Sequence, residues 1–337
     1  MWQNNTGTNA SSGREESRGQ GLNHVELVLF LVFASLLVIV TIINNLLVIL
    51  GAWSNPRLRR GTYSIFVSLA VSDVLVGAVS MPLWIYMVAS GAQMSRNLFL
   101  LYIVFDIFSA MASILHLAGV SVERFMAISR PTKYMLLTQK PYKNAIIIMW
   151  LLAALIACLF PIQTTFQWST IFTLMMFSFG FIIPLIIISS MYITIFKISK
   201  KVIVPIERRV SSDDLKRQMR KEHQLARTGA LVTGLFFVGW LPFFVVSLIG
   251  NFCPPCLKPY PGFDLKLTAF VKFMHYGNSM MNTFVYAFLN TEMRRTFSRL
   301  LRHMLERMFQ PACPAPVQRA WDRTQRWRKL QRRLQTT

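Results

Sequence analysis

A charged triplet, Glu123-Arg124-Phe125, closes a long apolar stretch, and an aspartate, Asp106, lies seventeen positions before its glutamate. Ionisable groups inside or at the edge of a membrane helix are costly, so by default they mark function. Asp106 falls in one half of the stretch and Arg124 at its opposite edge. One helix therefore carries an acid toward one side and a base toward the other. Asp106, Ala110 and Ile114 follow i, i+4, i+8 spacing and share a face. Phe236, Trp240, Phe243 and Phe244 form an aromatic stripe around Pro242, where a proline removes a helical hydrogen bond and kinks the chain. Core packing alone explains such a stripe. Beside an anionic residue it also suits a cationic amine, because ring faces add about 0.5–2 kcal/mol to the ion pair.

Other polar residues interrupt apolar runs: Asn45, Asp73, Ser113, Asn278, Ser279 and Asn282. Taken singly, each reads as helix–helix glue. If they converge, one carboxylate and several neutral oxygens make a small site for a hard cation, with Asp73 as the charged ligand. Arg124 and Glu222 sit at corresponding ends of the third and sixth apolar runs, where they either pair across helices or face lipid headgroups. The five histidines, His24, His116, His223, His275 and His303, are scattered, with no metal or triad spacing.

The elements that must hold these residues are membrane helices. The chain is 53% hydrophobic and only 15% charged. A span needs roughly 20 mostly apolar residues, and seven segments meet that length, at about 25–52, 61–89, 98–127, 144–163, 168–196, 228–250 and 267–289. In lipid, only helices and closed barrels satisfy their own backbone, and these runs are too long for barrel strands. The expected fold is an all-α, seven-transmembrane helix bundle with a C-terminal membrane-surface helix. Its expected divisions are a tail at 1–24, the spans at 25–290, an amphipathic helix at 291–308 and a basic tail at 309–337.

The net charge of +22 invites a nucleic-acid reading, but its distribution argues against one. Thirty of the 36 Lys and Arg residues fall on one side of the alternating connections. This positive-inside bias places the N-terminus outside and the C-terminus inside a plasma membrane, and attraction to anionic lipid accounts for the remainder. The first 24 residues lack the apolar core of a cleavable signal. Asn4 and Asn9 head glycosylation sequons on the expected outer side. Cys253 and Cys256, as Cys-Pro-Pro-Cys in the last outer loop, lie where a small-loop disulfide is expected. Cys158 reads as a small packing residue within the fourth span. Cys313 follows a basic amphipathic stretch and is a candidate for palmitoylation.

Seven motifs now stand in order. They are Asn45 in Asn44-Asn45-Leu46-Leu47-Val48, Asp73 in Leu69-Ala70-Val71-Ser72-Asp73, and Glu123-Arg124-Phe125 with Pro131 and Tyr134 downstream. Trp150, Pro184 and Tyr192 follow, then Phe236 to Pro242 in the sixth span. Asn282-Thr283-Phe284-Val285-Tyr286 and Asn290 to Phe297 complete the set. Over about residues 25–305 the chain resembles the rhodopsin-like (class A) G-protein-coupled receptors, and within them the biogenic-amine branch. The resemblance implies that Asp106 pairs with a ligand's ammonium, that Tyr276 holds that carboxylate, and that Ile107, Ala110, Met176, Phe177, Gly180, Phe243, Phe244 and Lys272 border the pocket. Trp240 would be its floor. Ile114, Pro184 and Phe236 would be the connector below, and Asp73, Ser113, Asn278, Ser279 and Asn282 a sodium site. Glu123, Arg124, Glu222, Tyr192 and Tyr286 would form the inner switch. The implied partners are a small amine, a heterotrimeric G protein and lipid, with no organic cofactor.

The chain departs from that pattern in four places. Phe99 stands where the family has a third-span cysteine, and the connection near Gln163 to Thr170 is very short and cysteine-free, so any lid is untethered. Thr283 replaces a proline and keeps its N–H. Met176, Phe177 and Gly180 offer no hydroxyl to a catechol, which favours an amine with an apolar body. Lys272 lies one turn before Tyr276 on the pocket face. It either pairs with Asp106, snorkels to the surface, or meets a carboxylate-bearing ligand. The competing functions are a transporter, which predicts internal repeats that this chain lacks, an enzyme, and a receptor fold that signals constitutively around an internal Asp106–Lys272 pair.

Overall fold

The computed structural model describes residues 22–56, 61–91, 93–130, 133–134, 136, 138–198, 213–257, 263–289 and 291–308. Asn4, Asn9, Cys313 and the basic tail lie outside the described residues, as do the side chains of Glu222, Thr283 and Tyr286. The first span is α1 (His24–Ser54). The second is α2 (Thr62–Leu75), continued through a π turn at Val76–Ser80 into α3 (Met81–Ala89). The third is α4 (Arg96–Ser129) and the fourth α5 (Lys140–Phe166). The fifth is α6 (Ser169–Phe177), a second π turn at Ser178–Ile182, and α7 (Ile183–Ile198). The sixth is α8 (Asp213–Phe252), the seventh α9 (Phe263–Leu289), and α10 (Thr291–Met308) follows.

Local chemistry sets several boundaries. Asn23 caps α1, its Oδ1 accepting from Glu26 N at 2.9 Å while its own N–H donates to Glu26 Oε2 at 3.1 Å. Ser95 caps α4. Each π turn lies just before a proline, Pro82 or Pro184. A proline lacks the N–H for the i→i−4 bond and crowds the preceding turn, so the extra residue of a π turn relieves it. Gln167 takes a left-handed conformation, φ 61°, and only Gln167 and Trp168 link α5 to α6. The connection is shorter than its sequence suggests.

Among the described residues, six helices are long and apolar enough to cross a membrane. The seventh, α9, carries Asp264, Lys266, Lys272 and His275, yet its 27 residues extend about 40 Å at 1.5 Å per residue, enough to span. The first and fourth spans leave broad apolar faces uncovered, including Leu29, Phe33, Leu36 and Ile43 on α1 and Ile147, Leu151 and Leu155 on α5. Patches of this size do not persist in water, and they fit a lipid surround. This is a multi-pass membrane protein with a seven-helix bundle.

The third span, α4, runs through the middle and packs against the second, fourth, fifth and sixth spans. Its buried face, including Asp106, Ala110, Ser113, Ile114, His116 and Arg124, is therefore presented to most of the bundle. The seventh span packs along the sixth and against the first. Cys158 corrects an expectation, because it is exposed on the outer face of α5 rather than packed between helices. Cys253 and Cys256 form the expected disulfide, in the turn between α8 and α9.

Candidate functional site

The Asp106 end of the bundle holds a compact ionic cluster. Tyr102 and Asp106 are four residues apart on α4, as are Lys272 and Tyr276 on α9, so each pair stacks on one helix face. The two faces meet. Lys272 Nζ donates to Asp106 Oδ2 at 2.5 Å, and Tyr276 Oη donates to Asp106 Oδ1 at 2.9 Å. The hydroxyls of Tyr102 and Tyr276 are 3.3 Å apart. Asp106 is 6% exposed, Lys272 7% and Tyr276 fully buried. The ammonium lies 5.1 Å from the Phe243 ring centre, 5.2 Å from Tyr276 and 5.5 Å from Tyr102. All three are within the reach of a cation–π contact. A buried carboxylate thus has both oxygens engaged by the protein, one of them by an ammonium set among rings.

Below it, Trp240 lies against His275 at 3.8 Å between ring centres, Phe236 at 5.5 Å, and Phe243 and Phe244 at 5.7 Å. Ala110, Ile114, Phe236, Trp240 and Phe244 share one buried cluster, against which Ile107, Met176, Phe177 and Tyr192 pack. Pro184 is buried on α7. Gly180 sits where a Cβ would come within 3.0 Å of Met111 Cε and 3.3 Å of Phe244 Cζ, so the fifth span approaches α4 and α8 closely there.

Midway along the bundle, Asp73 is fully buried. Ser113 Oγ donates to its Oδ1 at 3.3 Å and Asn282 Nδ2 to its Oδ2 at 3.0 Å. Asn45 Nδ2 donates to the backbone carbonyls of Thr41 and Ser279, tying α1 to α9. Asn278 is buried, and its Nδ2 has no partner among the described residues. Its amide lies against Gly239 of α8.

At the far end of α4, Arg124 is held by its own neighbour. Its Nε and one terminal nitrogen donate to the two carboxylate oxygens of Glu123 at 2.6 and 2.7 Å. Tyr134 Oη also donates to Glu123 and stands 3.4 Å from the Arg124 guanidinium. A two-point arginine–carboxylate fork of this kind is among the stronger and more directional polar contacts. The expected pairing of Arg124 with Glu222 falls on a side chain outside the described residues.

Residues 44–286 match the family model described as 7 transmembrane receptor (rhodopsin family). The chain belongs to that family. It is a receptor, not an enzyme. Among its relatives, the octopamine receptor beta-1R of Drosophila melanogaster is 27% identical over 345 residues, covering 89% of this chain and 66% of that protein. The D(1C) dopamine receptor of Xenopus laevis is 28% identical over 317 residues, covering 79% and 66%. The adenosine receptor A2a of Homo sapiens is 25% identical over 304 residues, covering 81% and 72%. The receptor spans about two thirds of the length of the octopamine and dopamine receptors that it matches.

The receptor brings Asp106, Lys272 and Tyr276 into direct contact, with Phe243 beside them and Trp240 below. It brings Asp73, Ser113 and Asn282 together as a second group. Sequence reasoning missed three residues. Tyr102 is one turn from Asp106, and its signal was that spacing. His275 sits between the ion pair and Trp240. His116 Nε2 meets Ser68 Oγ at 2.7 Å, its Nδ1 lies 2.6 Å from the Ala112 carbonyl, and Trp150 Nε1 donates to the same Ser68 Oγ at 2.9 Å. That network ties the second, third and fourth spans, and a lone histidine in an apolar run was its only sequence mark.

Proposed function

We propose that the receptor binds a small extracellular ligand bearing an ammonium group, and activates a heterotrimeric G protein through the Arg124 end. The carrying observation is the ammonium of Lys272 on Asp106, held among three rings. The site is built to hold one ammonium, and the internal one keeps that place in the idle protein. A ligand's ammonium takes the same place while Lys272 swings aside on its flexible four-carbon stem. Relatives named for octopamine and dopamine support this reading, while relatives named for adenosine show that the fold also serves other chemistry. Met176, Phe177 and Gly180 lack hydroxyls, which favours an apolar ligand body over a catechol.

Orientation follows the charge bias, with the N-terminus outside and the basic connections facing the cell interior and its lipid. The ligand shifts the receptor only by its differential affinity for the idle and active states. Arg124, released from Glu123, would then face the G protein, with Tyr192 near it. Asp73 with Ser113, Asn278, Ser279 and Asn282 offers one carboxylate and neutral oxygens, a donor set suited to sodium. In that donor set Asp73 is the carboxylate and supplies the charge. A bound sodium ion would supply a positive charge that holds the second, third and seventh spans together at mid-membrane.

A second reading is favoured by the same pair: with the place filled internally, the receptor signals at a fixed basal level without a ligand. Second-messenger output in cells separates the two. An amine response that disappears in Asp106→Asn supports the ligand reading. Basal output that changes in Asp106→Asn, with no response to any amine in the wild type, supports the constitutive one.

A further inference from the structure

The ligand site carries two opposite charges, and each needs a partner when the internal pair opens. Asp106 is fixed in place by Tyr276, which is itself beside Tyr102. A simple monoamine would satisfy Asp106 but leave the Lys272 ammonium without its counter-ion in a low-dielectric surround. A simple carboxylate would satisfy Lys272 and strand Asp106. Removing one partner of a buried ion pair is far more costly than replacing both. Among the described residues Asp106 is the carboxylate that Lys272 meets. The other acid on α9 before it, Asp264, lies eight residues away, about 12 Å along the helix, and accepts from the Leu265 N–H. A second, independent mark lies one turn along the same helix. His275 is buried, stacks on Trp240, and its Nδ1 has no hydrogen-bond partner among the described residues. Buried polar atoms are normally paired, so this one is a spare handle beside the ion pair.

Resting on the proposed ammonium site, we infer that the receptor's ligand is a zwitterion, a small amino acid whose ammonium takes the ring-lined place on Asp106 and whose carboxylate takes up the displaced Lys272. Such a ligand exchanges one ion pair for two and strands neither charge. It is proton-neutral, since no group need change protonation state. The side chain of the same molecule would lie against Trp240, with any polar group it carries, such as an indole N–H, toward His275 Nδ1.

The test uses the full-length receptor in lipid nanodiscs and two matched probe sets. One is L-phenylalanine, phenethylamine and 3-phenylpropanoate. The other is L-tryptophan, tryptamine and indole-3-propanoate. Affinity is measured by calorimetry for the wild type, Lys272→Gln and Asp106→Asn. In the wild type, at least one amino acid binds more than about tenfold tighter than its matched amine and its matched acid. Lys272→Gln reverses the order in favour of the amine, and Asp106→Asn favours the acid. The wild-type comparison stands alone if a variant fails to fold. Amines that bind the wild type as tightly as the amino acids, and are lost in Asp106→Asn, overturn the zwitterion and leave the ammonium site standing. An amino-acid preference unchanged by Lys272→Gln also overturns it. Binding of neither amino acid to the wild type overturns it as well, and if the amines also fail to bind, the ammonium site falls with it.

Discussion

Lys272→Met should destabilise the receptor more than the double substitution Asp106→Asn/Lys272→Met. In the single variant, Asp106 keeps the 2.9 Å bond from Tyr276 but loses the ammonium on its other oxygen, in a site 6% exposed. Stranding one member of a buried pair costs about 3–5 kcal/mol. The Phe243, Tyr102 and Tyr276 rings then also lose a cation, a further effect of about 0.5–2 kcal/mol. The double variant holds no unpaired charge, and an amide at 106 can still accept from Tyr276. Its expected loss is that of one or two neutral hydrogen bonds plus the same lost cation, about 1.5–4 kcal/mol. The assay is thermal unfolding of the purified receptor in nanodiscs, run as a double-mutant cycle with Asp106→Asn alone as the fourth corner. With each single near 3–5 kcal/mol, the cycle should show coupling of about 3 kcal/mol or more, at or above the top of the usual range. A double variant that loses the sum of the two singles would show instead that the two side chains act independently.

Three further outcomes follow from the packing. Ser68→Ala removes the hydroxyl shared by His116 and Trp150, so two ring nitrogens lose a partner and thermal unfolding should register a loss of about 1–3 kcal/mol; an unchanged melting temperature would show that the network is idle. Gly239→Ala would place a Cβ within 2.4–2.8 Å of the Asn278 amide, so Asn278 must turn or α8 must withdraw from α9. The expected cost is about 1–3 kcal/mol, with altered basal G-protein activation, and wild-type behaviour on both measures would contradict the close approach. Cys253→Ser opens a disulfide closing a sequence separation of 3, and so short a loop contributes about 2 kcal/mol or less; loss of folding in that variant would show a larger role for the turn between α8 and α9.

Much of the bundle was legible because lipid leaves a helix few alternatives. Apolar runs gave the spans, and Pro82 and Pro184 mark the places where π turns form, although no periodicity announces such a turn. Asp106 and Tyr276 were legible through motif positions. Lys272 was legible as a problem, one turn from Tyr276, but its solution was not: pairing and snorkelling differ only in side-chain torsions, and 166 residues separate it from Asp106. Burial on α9 resolves it in favour of the pair. His116 and His275 stayed hidden because a histidine in an apolar run says only that some partner is needed. The partner comes from neighbouring helices, Ser68 and Trp150 in one case and Trp240 in the other. Cys158 was misplaced because a small residue fits either face of α5, and nothing local decides which face meets lipid.

In the proposed ligand site, Asp106 is the counter-ion of the ligand's ammonium. Nucleotide exchange on purified heterotrimeric G protein, driven by the full-length receptor in nanodiscs, tests it most directly when wild type and Asp106→Asn are compared across ammonium-bearing ligands. A ligand-stimulated rate is expected in the wild type, with potency at least about tenfold lower in Asp106→Asn. An ammonium-bearing ligand that stimulates both proteins with equal potency would contradict it.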